Sequence, residues 1–229
     1  GIAVGPSWFG LITYTDFVSG LAHLGAVVLL FTIGLEFKIE DISKPWYCLI
    51  ALIGILLPWG GGFFLAKAFN FDFNASVFIG TALTATSIAI TANVLREMGK
   101  LQTQAAKAII GAAVIDDVLA LLALSISQGL VSGTLSVSSI LVISLKAGAF
   151  LVLGALIGRL VIAKLMERFS SIKLAAKYPE SVFLFAMMMA FLYALVSELV
   201  GLSGIVGSFL AGISLAGVRV KQGHVFKEG

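Results

Sequence analysis

The feature that most constrains this chain is a series of apolar runs, each about as long as a bilayer is thick. The run from Leu21 to Ile33 contains no acid, lysine or arginine. Similar runs fall at approximately 18–37, 46–68, 75–95, 105–128, 137–163, 178–199 and 202–218. A helix crosses the ~30 Å hydrocarbon layer in about 20 residues, so each run predicts one spanning helix. Only helices and closed barrels satisfy their backbone groups in lipid. The runs lack the alternating pattern, about ten residues long, of a barrel strand. The predicted fold is therefore an all-α polytopic membrane protein with about seven transmembrane helices. Composition agrees: 59% of residues are hydrophobic and only 12% are charged. That is about half the charge of a typical soluble domain, too little to cover a core with a polar surface. The expected surroundings are the lipid bilayer.

The connections carry a second pattern. Lys38 and Lys44 follow the first run, and the next connection, Phe69 to Asn74, has no basic residue. Arg96, Lys100 and Lys107 follow the third, and Gln128 to Ser136 again has none. Arg159, Lys164, Arg168, Lys173 and Lys177 come next, then a neutral connection near Gly201, then Arg219, Lys221 and Lys227. The positive-inside rule places 38–45, 96–107, 164–177 and the tail 219–229 in the cytoplasm, and the first residues outside. The expected location is a prokaryotic plasma membrane. The net charge of +3 then needs no nucleic-acid partner. Cys48 is the single cysteine, so no internal disulfide forms. The chain opens on Gly1, not Met, with no secretory signal peptide, and the natural protein is expected to start earlier.

Polar groups at depth are the candidate site. A charged side chain at the centre of a spanning helix costs about 2.5–3.5 kcal/mol on insertion scales. Asp116 and Asp117 lie ~16–18 Å from the start of the run 105–128, near the bilayer midplane. Neighbours on a helix point about 100° apart, so one carboxylate can face a cavity while the other faces a partner helix. The small residues Gly111, Ala112 and Ala113 allow another backbone to come close. A carboxylate out of water disfavours its bare charge and takes a proton or a monovalent cation, but not both well. A site open to each side in turn then exchanges one for the other. The structural alternative is a helix–helix hydrogen bond or a buried pair with a distant lysine.

The preceding run, Gly80 to Thr91, is rich in hydroxyls and small residues. Thr84, Thr86 and Ser87 compete for backbone bonds. The segment either breaks at mid-membrane and offers oxygens to a cation, or continues as a helix with a small packing face. Weaker candidates are assigned structural or interfacial roles. They are Lys146, Glu36 at the cytoplasmic end of its run, and Glu198 and His23 near outer ends. Trp8, Trp46 and Trp59 suit interfaces or packing, and Gly60-Gly61-Gly62 suggests a close crossing.

Two stretches, Thr81 to Leu95 (TALTATSIAITANVL) and Gly111 to Leu119 (GAAVIDDVL), closely resemble the cation/proton antiporter-2 family, nearest its NapA-type sodium/proton branch. Gly1 to Leu11, Leu30 to Phe37 and Gly201 to Ala216 agree in the same order, so the resemblance covers nearly the whole chain. It implies an inverted-repeat fold with a mobile core domain and a second domain that supports a homodimer. It implies that Asp117 binds Na+ (Li+ or K+ being alternatives) or a proton. Asp116 matches a neighbour that pairs with a lysine, and Thr86 and Ser87 match positions beside the ion at a broken helix. Kef-type potassium relatives tend to carry Gln-Asp here, so Asp116-Asp117 points to sodium. The family has about twelve or thirteen helices, so the second broken helix and the lysine are expected beyond Gly229. Residues 1–229 alone are expected not to transport. No cofactor and no enzymatic activity are expected. The rivals are a passive cation channel and a rhomboid-like protease. The protease would use Ser203 within Gly201-Leu202-Ser203-Gly204, with His23 or His224 as base.

Overall fold

The structure is a computed structural model that describes residues 5, 8–10, 15–42, 44–133, 137–172, 177–178, 180–216 and 218. The tail 219–229, with His224, and the remaining residues before Thr15 lie outside the described residues. The described elements are helical. They are α1 (Asp16–Gly34), α2 (Ile39–Ile42), α3 (Trp46–Ala68), α4 (Phe73–Ala82), α5 (Ile88–Glu97), α6 (Gln104–Ser132) and α7 (Val137–Ile157). A π turn (Gly158–Ile162) leads from α7 into α8 (Ala163–Ser170), followed by α9 (Glu180–Val200) and α10 (Gly204–Leu215).

Among the described residues, five helical stretches are long and apolar enough to cross a membrane: α1, α3, α6, Ile140–Ser170 and α9. The run 46–68 matches α3 end to end. One open alternative is decided and two expectations are corrected. The run 75–95 is two ten-residue helices, with residues 83–87 between them. The run 137–163 continues through the π turn to Ser170, so 164–170 is helix and not loop. The run 202–218 holds a 12-residue helix, about 18 Å long, which is shorter than the hydrocarbon layer. The short helix α2 inside the loop 38–45 gave no periodic signal in so few residues.

Local chemistry explains the ends. Thr15, Ser87, Thr103 and Ser203 each accept a backbone N–H in the first turn of the following helix. Such caps are worth about 1 kcal/mol each. α6 ends on Gly133, which holds the left-handed conformation at φ 69°.

Two glycine crossings set the helix arrangement. α10 packs on α1 and α9. Where it meets α1, a Cβ on Gly34 would run into the Phe209 carbonyl, and one on Gly212 into the Phe31 carbonyl. α3 packs on α4 at Gly62 and Gly80, where a Cβ on Gly80 would sit 2.6 Å from the Trp59 carbonyl. Such close backbone approach is the usual role of small residues between spanning helices. One buried apolar cluster joins Phe31 of α1, Phe150 of α7, Met187 of α9 and Leu210 of α10. A second joins Leu30, Ile88, Ile110 and Phe209, so α1 and α10 lie between the broken helix and α9.

Candidate functional site

The break between α4 and α5 follows from its hydroxyls. The Thr81 carbonyl accepts both the Thr84 N–H, at 3.1 Å, and the Thr84 hydroxyl, at 2.7 Å. A side chain that takes a backbone acceptor offers the chain an alternative to the helical ladder. Four residues after Thr84 the helix restarts, with Ile88 as its first residue and Ser87 as its cap. The Ser87 hydroxyl accepts the Ile90 N–H at 3.4 Å, and its carbonyl accepts the Thr91 hydroxyl at 3.0 Å. Of the two readings open in the sequence, the structure takes the broken one.

α6 brings the two aspartates to this break, and they face different surroundings. Asp116 is buried, at 7% exposure, with the Thr86 side chain beside it; the Thr86 hydroxyl donates to the Thr84 carbonyl at 3.4 Å. Asp117 is half-buried and lies on the wall of a cavity of about 530 Å³. Thr81, Thr84, Ala85, Leu121 and Ser203 line the same cavity. One end of the broken helix therefore frames Asp117, and the other lies beside Asp116.

The structure thus brings four of the five sequence candidates together: Asp116 with Thr86, and Asp117 with Thr84. Ser87 is exposed, and its hydroxyl is committed to capping α5. The site also contains a group that the sequence did not single out for it. The backbone N–H of Ser203, just before α10, donates to Asp117 Oδ2 at 3.3 Å. Thr81 is the other addition: its oxygen meets Ser127 of α6 at 2.6 Å and Trp59 of α3 at 3.2 Å. The only advance signal for Ser203 was its place in a Gly-Leu-Ser-Gly stretch, read there as a possible nucleophile.

The His23 form of that protease geometry is not formed, and His224 lies outside the described residues. His23 Nε2 lies 2.7 Å from Glu198 Oε1, and the Ser203 hydroxyl accepts the Ile205 N–H. Among the described residues His23 and Ser203 share no hydrogen bond. The minor candidates have plain roles. Glu36 sits 3.7 Å from Arg96, and its carbonyl accepts a bond from Gln102, which ties the ends of α1 and α5 together. Lys146 borders an apolar groove of about 480 Å³ between α7 and α9.

Residues 1–227 match the family described as sodium/hydrogen exchanger, transmembrane. Among curated proteins, the chain is 32% identical to the Na(+)/H(+)-K(+) antiporter GerN of Bacillus cereus, over 97% of this chain and 56% of that protein. It is 35% identical to the high-affinity Na(+)/H(+) antiporter NhaS3 of Synechocystis sp., over 91% of this chain and 45% of that protein. It is 27% identical to the ammonium/H(+) antiporter subunit AmhT of Alkalihalophilus pseudofirmus, over 98% and 56%. The chain spans about half the length of these relatives.

Proposed function

Because the chain belongs to the sodium/hydrogen exchanger transmembrane family, we propose that it is the part of a monovalent cation/proton antiporter that carries the exchanging carboxylate. The observation that supports this most directly is Asp117 on a cavity wall beside a broken helix. There a carboxylate has oxygen neighbours for a cation and limited water to stabilise a bare charge.

The proposed cycle uses one site for two guests. Sodium binds at Asp117 when it is unprotonated, with Thr84 supplying a hydroxyl at the same wall. A proton displaces sodium by neutralising the carboxylate. Asp116 stays buried in the helix contact, beside Thr86. Alternating access exposes Asp117 to each side in turn. Lithium, being close in size and charge, is the next candidate guest. Remaining ligands and a basic partner for Asp116 are assigned to the further sequence that relatives of twice this length possess. The whole protein is proposed to act as a homodimer, with the segments 38–45, 96–107, 164–177 and 219–229 cytoplasmic.

The test is transport by the full-length protein in proteoliposomes. A sodium gradient should drive proton movement in the parent protein, and Asp117→Asn should reduce it to the protein-free background while remaining monodisperse. Exchange retained by Asp117→Asn removes this site assignment. Sodium flux without obligatory proton counterflow would favour a passive channel. Exchange driven by potassium in preference to sodium would place the protein on the potassium branch.

A further inference from the structure

The N–H of Ser203 reaches Asp117 from a turn that is fixed on both sides. Gly201 makes the turn out of α9 at φ +97°, in the region that favours glycine. Gly201 N–H donates to the Glu198 carbonyl at 2.9 Å, and Leu202 N–H to the Ser197 carbonyl at 3.0 Å. The Ser197 hydroxyl donates to the Ser203 carbonyl at 2.8 Å. Leu202 is buried in the apolar cluster that contains Phe31 and Met187. Ser203 itself caps α10, with φ −64° and ψ 136°. Its N–H is therefore aimed by α9 and α10, not by the carboxylate that accepts it.

Neighbouring groups on the cavity wall are committed elsewhere. No basic side chain lines the cavity among the described residues. The Thr81 and Thr84 hydroxyls donate to the Val77 and Thr81 carbonyls. The Ser203 bond also joins two groups of helices. α6, which carries Asp117, packs chiefly on α3 and α4, whereas α10 packs chiefly on α1 and α9. Elsewhere α6 and α10 share an apolar cluster, Ile110 and Val114 with Val206 and Phe209. Apolar contacts are indifferent to the charge on Asp117, but the Ser203 bond is not. A hydrogen bond to a bare carboxylate is charge-assisted and roughly twice as strong as one to a neutral acceptor. A proton or a cation on the carboxylate removes that advantage.

We propose that the backbone N–H of Ser203 is a latch on the empty carrier: it ties an unoccupied Asp117 to the α9–α10 turn and releases it when either guest binds. This builds on the reading of Asp117 as the ion-carrying carboxylate. Ser203 is a positioning residue that acts through Asp117. Alternating access then carries the sodium-loaded and protonated forms across, while the empty form is held back. Exchange is obligatory because a carrier that has released sodium must take up a new guest before it returns. Without the latch the empty form returns alone, and sodium leaks down its gradient.

The experiment uses the full-length protein in proteoliposomes, with sodium uptake and proton release recorded together at fixed pH and clamped membrane potential. Ser203→Pro removes the N–H, and a proline ring suits φ −64°. Ser203→Ala removes only the hydroxyl. Both variants lose the α10 cap, so both should be slower than the parent. The readout is protons released per sodium taken up, which a loss of stability alone does not change. The ratio should fall several-fold in Ser203→Pro and stay at the parental value in Ser203→Ala. A parental ratio in Ser203→Pro, or an equal fall in both variants, overturns the latch. If Ser203→Pro does not fold or moves no sodium, hydrogen exchange at the Ser203 amide of the parent decides. Sodium, compared with choline, should speed that exchange several-fold in the parent and leave it unchanged in Asp117→Asn. Exchange that sodium leaves unchanged or slows in the parent, or speeds equally in Asp117→Asn, overturns the latch. If the parent itself releases no protons against sodium, the antiport reading falls and the latch with it. Coupled exchange that Asp117→Asn abolishes, with a parental ratio in Ser203→Pro, sinks the latch alone.

Discussion

The hydroxyl oxygens of Thr81 and Ser127 lie 2.6 Å apart, joining the last turn of α4 to the far half of α6. Both residues are buried. The Thr81 hydroxyl also donates to the Val77 carbonyl at 2.9 Å and accepts the Trp59 indole N–H at 3.2 Å. One small side chain therefore links three helices beside the break. Thr81→Val leaves the indole and Ser127 without their acceptor, a loss of about 1–3 kcal/mol. Ser127→Ala leaves Thr81 satisfied and should cost about 1 kcal/mol or less. Thermal unfolding in detergent orders the two variants; equal losses would mean that Thr81 is not the shared node.

Adjacent glycines in α3 should respond in opposite ways. A Cβ on Gly61 meets open space, whereas one on Gly62 lies 2.7 Å from Leu83 Cδ1 and 3.0 Å from the Gly80 Cα. Gly61→Ala should be neutral or stabilising by up to about 1 kcal/mol, since alanine favours the helix. Gly62→Ala should destabilise by about 1–3 kcal/mol through overpacking. The melting temperatures of the two purified variants check this, and the reverse order would contradict the crossing.

Thr86 is the side chain that the broken helix offers to Asp116. Thr86→Val keeps the shape and removes the hydroxyl; Thr86→Ser keeps the hydroxyl. The Thr86 hydroxyl donates to the Thr84 carbonyl across the break, a neutral hydrogen bond worth about 0.5–1.5 kcal/mol. The valine variant should therefore weaken apparent sodium affinity by up to about tenfold, and the serine variant should restore most of it. Equal affinities for valine and serine would show that the hydroxyl does not support the pair.

If proton and cation share Asp117, acid should act as a competitor. Once the protonated form dominates, each further unit of pH decrease should raise half-saturating sodium about tenfold, while the rate at saturating sodium stays near its earlier value. Initial rates over a grid of sodium and pH distinguish this from two separate sites, for which half-saturation would not follow pH.

Much of this architecture was legible because the bilayer dictates it. α3 coincides with its apolar run because Pro45 precedes it and Asn70 follows it, with φ 63°. Asp116 and Asp117 were legible as a costly pair at mid-depth. The path of 83–87 was not, because Thr84 and Thr86 are compatible with either a helix or a break until tertiary contacts choose. Helix α8 was missed for a different reason: Lys164 and Arg168 made the segment look like a loop, although a charged helix can continue past the membrane surface. The local pattern around Ser203 pointed to its hydroxyl and not to this bond, since its partner is 86 positions away and the bond uses its backbone.

The break has an electrostatic consequence for the two carboxylates. α4 ends at it and α5 begins at it, so a helix C-terminus faces a helix N-terminus across five residues. Aligned peptide dipoles leave about half a negative charge at the first and half a positive charge at the second, acting within about one turn. Asp117 shares its cavity with Thr81, Ala82 and Thr84, at the carbonyl end. Asp116 lies beside Thr86, next to the amide end that Ser87 caps. One fracture thus presents opposite polarities to adjacent residues: the carbonyl end to Asp117, and the amide end to Asp116.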